Sequence, residues 1–279
     1  MTDIQRIAPE LTLGADGIWY SQSRQEVSYP SDGNEACFQV EELSFWFKHR
    51  NACIVAAVTA FPPNDLGPVF DIGGGNGYVS LGLIHAGFDV VLVEPGRAGA
   101  ANARKRGVPT VICASTATAG FAATTLGAVG LFDVIEHIED DAQFLKSIRS
   151  LVKLGGRLYA TVPTYSALWS REDELAGHFR RYTCNSICRA VEQAGFRIDY
   201  ATYIFRPLPL PILLLRALPH RLGRGSSSSD ARDTASDHQP GTGIASRALR
   251  WLLGGEAGNI ASKRRMACGS SCLIVASAT

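Results

Sequence analysis

The stretch DIGGGNGYVS (71–80) sets an aspartate and the glycines Gly73, Gly74, Gly75 and Gly77 directly after a short apolar run, PVFDI (68–72). Glycine admits backbone conformations closed to other residues and lets a ligand come close, so this segment reads as a binding loop at a strand end. Two phosphate-binding signatures do not fit it. A P-loop needs GxxxxGK[ST], and no lysine follows at the required place. A GxGxxG fingerprint counted from Gly73 meets Tyr78 where its third glycine belongs, and counted from Gly74 it meets Asn76 in place of its second. Further along stand Glu94 in DVVLVEPG (89–96), then Asp133, Glu136 and His137 in LFDVIEH (131–137), then His178, Arg180, Arg181 and Tyr182 in GHFRRYT (177–183). Histidine titrates near neutrality, which makes His137 and His178 the candidate general bases, with a structural hydrogen-bonding role as the alternative. Adjacent arginines can grip a phosphate or carboxylate, or simply form a solvated charged face.

The elements that must position these residues alternate in type. Strands are expected at 68–72, 89–96, 108–115, from 126 to about Asp133, 156–163, 196–205 and 270–278. Helices are expected at 78–87, 97–107, 140–156 and 184–195; the third carries Phe144, Leu145, Ile148, Leu151 and Val152 at helical spacing and is stopped by Gly155 and Gly156. Such alternation predicts βαβ units and a parallel sheet with helices on both faces, and the last two strands can pair antiparallel at one edge. Ligands of such sheets sit at the carboxyl ends of the strands, where the glycine loop falls.

The spacing Asp71-x-Gly73-x-Gly75-x-Gly77 resembles the first motif of class I S-adenosylmethionine-dependent methyltransferases. LFDVIEHIEDD (131–141) resembles the family's fourth motif in the subgroup reading D-V-[IL]-E-H, and LKSIRSLVKLGGRLYATVP (145–163) resembles its long helix and fifth strand. LWSREDELAGHFRRYT (168–183) and SFWFKHRN (44–51) resemble blocks of a bacterial subgroup, so the similarity runs from about Ser44 to about Pro211. The resemblance implies an α/β, Rossmann-like class I methyltransferase fold: a mostly parallel seven-stranded sheet, helices on both faces, an antiparallel last strand. It implies S-adenosyl-L-methionine as cofactor, held by Asp71, Gly73, Gly74, Gly75, Gly77, Glu94 and Asp133, with Glu94 taking the ribose hydroxyls and Arg50 reaching the methionine carboxylate. Many members carry aspartate at the end of the third strand for the adenine; this chain has Cys113-Ala114-Ser115, which leaves Ser115 or a backbone group for that contact. His137 and His178 are the catalytic candidates, Arg180, Arg181 and Tyr182 the substrate-binding ones, and no metal ligands are expected. The acceptor is expected to be a small-molecule or lipid- or glycan-like compound, with oxygen as the methylated atom by resemblance to quinone-type O-methyltransferases. A nicotinamide-dinucleotide oxidoreductase and a non-catalytic cofactor-binding protein are the competing readings.

With 27 basic against 26 acidic residues the chain shows no surplus for nucleic acid. No secretory pattern opens it and no apolar run is long enough to span a bilayer, so a cytoplasmic location is expected. RPLPLPILLLRALPHRL (206–222) reads as a lid, a shallow membrane contact, or a helix on the sheet edge. Residues 1–66 read as an N-terminal helical extension and 67–279 as the cofactor-binding domain, with an insertion at 206–268 whose Gly/Ser-rich middle, 223–243, is expected to be disordered. Seven cysteines without a CxxC pair read as reduced thiols.

Overall fold

The computed structural model describes residues 2–22, 38, 41–42, 44–64, 67–223 and 252–279. The 223–243 stretch, apart from Gly223, and Cys37 lie outside the described residues.

Nine strands form one sheet: β1 Thr12–Leu13, β2 Ile18–Tyr20, β3 Val69–Ile72, β4 Val90–Val93, β5 Val111–Cys113, β6 Leu126–Phe132, β7 Val152–Pro163, β8 Phe196–Ile204 and β9 Ser271–Ala278. Their order is β1-β2-β5-β4-β3-β6-β7-β9-β8. Pairing is parallel from β2 to β7 and antiparallel for β7 with β9 and for β8 with β9. The expected seven strands are all present. The other two come from the N-terminal stretch, where an antiparallel hairpin turning at Gly17 lays Ile18–Tyr20 alongside β5. Helix 140–156 is shorter than expected. It ends at Leu151, because Val152 already pairs with Leu126 in the sheet and the glycines fall inside β7.

Alternation along the strands sorts apolar side chains to two faces. Phe70, Ile72, Val91, Val93, Val129 and Leu131 face one core, closed by Leu145 and Ile148 of helix Asp141–Leu151 and by Ile187 and Val191 of helix Cys184–Gln193. Val69, Val90, Ala128 and Tyr159 face the other, closed by Cys53, Ile54, Ala57 and Val58 of helix Phe45–Ala60 and by Leu83 of helix Tyr78–His85. Glu256, 1% exposed, ties the first of those helices down: it accepts the N–H groups of Phe205 and Arg206 at 2.7 and 2.8 Å and contacts His49 at 2.8 Å.

The reduced-thiol expectation fails for two cysteines. Helix Cys184–Gln193 packs over β9 with its first residue above Cys272, and these two form a disulfide with their Cα atoms 5.9 Å apart, inside the usual range. Cys53, Cys113, Cys188 and Cys268 are free.

The chain winds β3, β4, β5 toward one edge, then returns and winds β6, β7 toward the other. The direction reverses between β3 and β6, and a crevice opens at the carboxyl ends of strands flanking such a reversal. The loops leaving β3 and β6 are the glycine loop and the segment Asp133–His137.

Candidate active site

A cavity of about 310 Å³ lies in that crevice, walled by Gly73–Gly75, Glu94 and Phe47 on one side and by Phe132, Asp133 and His137 on the other. A wider depression of about 700 Å³ lies at the opposite end of the sheet. It is lined by Arg157 and Arg197, which both pair with Asp199, and it sits far from the carboxyl ends of the parallel strands.

The glycines of the loop serve different ends. Gly73, Gly75 and Gly77 have φ of +69°, +53° and +78°. A Cβ at Gly73 would lie 2.8 Å from Val134 and one at Gly77 2.9 Å from Val108, so both are glycine because the protein itself packs there. Gly75 has nothing within 4 Å of such a Cβ, so its bare face is the one turned to open space. At Gly74 the new Cβ would meet buried Leu92 at 2.8 Å. Gly74→Ala is therefore expected to cost about 1–3 kcal/mol by overpacking, read as a lowered unfolding midpoint.

Asp71 is behind the loop rather than in the cavity. It is 1% exposed and accepts the Ser80 hydroxyl at 2.6 Å. Burial pushes its carboxyl up to about 6, against the pull of Ser80 and Arg50. Between about pH 4 and 6 the folded chain thus holds a proton that the unfolded chain releases, and this group's contribution to stability falls as pH rises. Asp71→Asn removes that slope. The stability gap between variant and wild type should widen in the variant's favour from pH 4.5 to pH 7 in urea titrations, and an unchanged gap would place the Asp71 pKa at its ordinary value.

Glu94 is 7% exposed and accepts the N–H groups of Gly75 at 2.9 Å and Gly96 at 2.7 Å. Each oxygen keeps a second lone pair for a ligand hydroxyl. Burial raises its pKa despite those two bonds. Across the crevice, Asp133 stands at φ +57° and accepts the Thr161 hydroxyl at 2.8 Å. Arg50 places Nε 3.1 Å from the Asp133 carboxylate, an ion pair off the hydrogen-bond line, and donates from Nη2 to the Phe132 carbonyl. Both line the cavity, as does His137. Burial and then the neighbouring His178 push the His137 ring down to about 4, so it is neutral at physiological pH.

His178 is beside His137, ring centroids 4.7 Å apart, and its Nδ1 is 2.8 Å from Asp173. The other residues expected to hold substrate have different tasks. Arg181 forks onto Asp173 at 2.7 and 2.9 Å, Arg180 pairs with Asp141 at 2.9 Å, and the buried Tyr182 donates its hydroxyl to Asp141 at 2.6 Å. None of the three lines the cavity. Ser115, the adenine candidate, closes a local turn with Thr118 and is likewise outside the lining. The cavity also takes in Phe47 of SFWFKHRN, Asn76 and Tyr78 of DIGGGNGYVS and, from outside every motif, Glu41. Glu41 is held by Arg106 at 2.6 Å and by Asn76 at 3.3 Å.

A family model described as a methyltransferase domain matches residues 46–201, more than half of the chain. The chain belongs to that family. Among solved structures, a chain of the complex between the Haloferax volcanii Trm112 methyltransferase activator and a methyltransferase matches at TM-score 0.56 and 15% identity, over 91% of this chain and 99% of that one. Phosphoethanolamine N-methyltransferase 2 of Haemonchus contortus, in complex with S-adenosyl-L-methionine, matches at TM-score 0.56 and 19% identity, over 91% of this chain and 58% of that one. A Thermotoga maritima S-adenosylmethionine-dependent methyltransferase matches at 0.54 and 17%, over 89% and 96%. No curated protein matches in sequence. The methyltransferase has S-adenosyl-L-methionine as its cofactor. The site fits that molecule: an open glycine face at Gly75, a buried carboxylate at Glu94, and a cation at Arg50, all on one cavity.

Proposed function

We propose that this methyltransferase moves a methyl group to a hydroxyl oxygen of a small amphiphilic acceptor, lipid- or glycan-like in character. The observation that carries the proposal is the division of one cavity into a cofactor wall, Gly73–Gly75 with Glu94, and a facing wall that ends in His137 and Ile138. When bound, S-adenosylmethionine supplies an activated methyl on a sulfonium. The chain's own residues must hold it in line with the acceptor and keep water out. Glu94 takes the ribose hydroxyls, Arg50 the methionine carboxylate, and the loop glycines the close backbone contact. Asp71 organises that loop through Ser80. His137, neutral at working pH, faces the acceptor.

The amphiphilic character follows from the segment beyond β8. A helical run, Pro209–Ile212 continuing through Leu213–Ala217 and Leu218–Arg221, packs on the 166–177 segment through Arg216 with Glu172 and Arg221 with the Ser166 and Ala167 carbonyls. It leaves Leu210, Leu214 and Leu215 exposed at 63%, 53% and 75%. An exposed apolar patch on a run packed against the 166–177 segment suits an apolar tail or a membrane surface. No helix among the described residues is long and apolar enough to cross a membrane.

The test is turnover. The chain, S-adenosylmethionine and hydroxyl-bearing amphiphiles are incubated beside their amine analogues, and S-adenosylhomocysteine and methylated product are followed by mass. Product from hydroxyl compounds supports oxygen transfer; product from amines alone overturns it. Binding of NADH without S-adenosylmethionine would favour the oxidoreductase reading.

A further inference from the structure

We propose that Glu136, His137 and His178 form a binding site for one divalent transition-metal cation at the acceptor end of the cavity.

One ligand atom from each residue lies within 4.8 Å of the other two. Four features point to a cation rather than to chance packing. First, Glu136 is 1% exposed, and its Oε2 is buried with no hydrogen-bond partner. A buried carboxylate oxygen left unpaired is costly, so such groups usually have a partner. Secondly, the His178 ring is oriented from behind. His178 is fixed through Nδ1 by Asp173 at 2.8 Å, which leaves Nε2 as the nitrogen with a lone pair to offer. Metal-binding histidines are characteristically held this way, one nitrogen on a carboxylate or carbonyl and the other on the ion. Thirdly, Asp173 is itself locked by the Arg181 fork and the Ser170 N–H at 2.9 Å, so the His178 ring is held on a rigid support. Fourthly, the backbone joins the two halves of the site, with the Phe179 N–H donating to the Glu136 carbonyl at 2.8 Å.

Two imidazoles and one carboxylate favour a first-row transition cation over magnesium, which prefers oxygen ligands. Ligand atoms around such a cation stand about 3–3.5 Å apart. The trio, spaced within 4.8 Å, must close to that distance when a cation binds. Three protein ligands leave positions open, and His137 lines the cavity, so the open side faces the acceptor.

The site's chemical role rests on the methyltransferase reading, although its existence does not. A hydroxyl bound to the cation is more acidic, as metal-bound water is. Its proton leaves to solvent. The oxygen lone pair then forms the new O–C bond while the C–S bonding pair returns to sulfur, which becomes a neutral thioether.

The test uses the full chain after dialysis against chelator. Mn²⁺, Zn²⁺ and Mg²⁺ are titrated calorimetrically, Mn²⁺ also by electron paramagnetic resonance, with S-adenosylmethionine titrated in parallel. Wild type should take one Mn²⁺ or Zn²⁺ per chain, with Mg²⁺ weaker. Glu136→Gln, which keeps the buried shape, and His178→Gln should each weaken Mn²⁺ binding roughly tenfold or more. Both should still bind S-adenosylmethionine, which shows that they fold. Wild type that binds S-adenosylmethionine but no stoichiometric Mn²⁺ or Zn²⁺ overturns the proposal, and so does cation binding unchanged in both variants. Cation binding without S-adenosylmethionine binding supports the metal site and removes the methyltransferase reading instead.

Discussion

Replacing Glu94 by alanine is expected to weaken S-adenosylmethionine binding tenfold or more while the fold persists. The side chain stands at the end of β4 on the cavity wall and presents two oxygens, each already accepting one main-chain N–H, from Gly75 and Gly96. A ribose diol offers two O–H donors to the lone pairs that remain. Loss of one charge-assisted hydrogen bond costs about 1.5–3 kcal/mol, and a tenfold change corresponds to about 1.4 kcal/mol. The expected loss exceeds one bond, because the variant also frees the Gly75 N–H that fixes the loop's open glycine. Glu94→Gln separates the two effects. Its carbonyl oxygen still accepts from one backbone group, so the loop stays partly anchored while the charge is gone. Isothermal titration with S-adenosylmethionine and S-adenosylhomocysteine, with NADH as control, reads both variants. An alanine variant that binds as tightly as wild type would show that Glu94 serves the loop alone.

Much of this site could be read from the chain because its parts are local. A glycine run directly after a buried strand, a carboxylate at the next strand end and an aspartate–histidine pair after a later strand are each short segments, and the winding of a parallel sheet gathers strand ends without further instruction. The hairpin at 12–20 escaped for the opposite reason. Thr12 and Leu13 are both exposed and β2 is only three residues long, so no alternation marks either strand. Glu41 escaped because it enters the cavity from outside the motifs, and only the assembled fold brings it to the cavity that Glu94 lines. The adjacency of Arg180 and Arg181 left two readings open, a shared anion or a charged face. Neighbours in sequence suggest one anion held between them, yet in the structure they turn to different carboxylates, Asp141 and Asp173. The metal proposal has the same origin. Glu136 and His137 are consecutive, but His178 joins them only through the return of the chain beside β7, and the unpartnered acceptor oxygen of Glu136 has no counterpart in the sequence.

Asp173 shows how strongly that return is built. REDEL (171–175) holds three acidic residues that look alike in sequence, and the fold buries the middle one to 1% exposure. There it receives the Arg181 fork, His178 Nδ1 and the Ser170 N–H. Burial alone would raise its carboxyl, but the bonds from His178 and Arg181 outweigh burial and hold it at about 2. Removing one partner of a buried charged network costs about 3–5 kcal/mol, because the remaining charge is left without compensation. Asp173→Ala is therefore expected to lose about that much stability in urea unfolding, with Arg181 stranded and the His178 ring released. Acid should act in the same direction. A carboxyl at about 2 in the folded chain, against 3.8 in the unfolded one, contributes its full stabilisation above about pH 4 and loses it as pH falls toward 2. The stability difference between wild type and Asp173→Ala should then shrink between pH 4 and pH 2. A loss below about 1 kcal/mol at neutral pH, the size of an exposed pair, would mean that Arg181 and His178 find water or other partners, and that His178 is not held in place by Asp173.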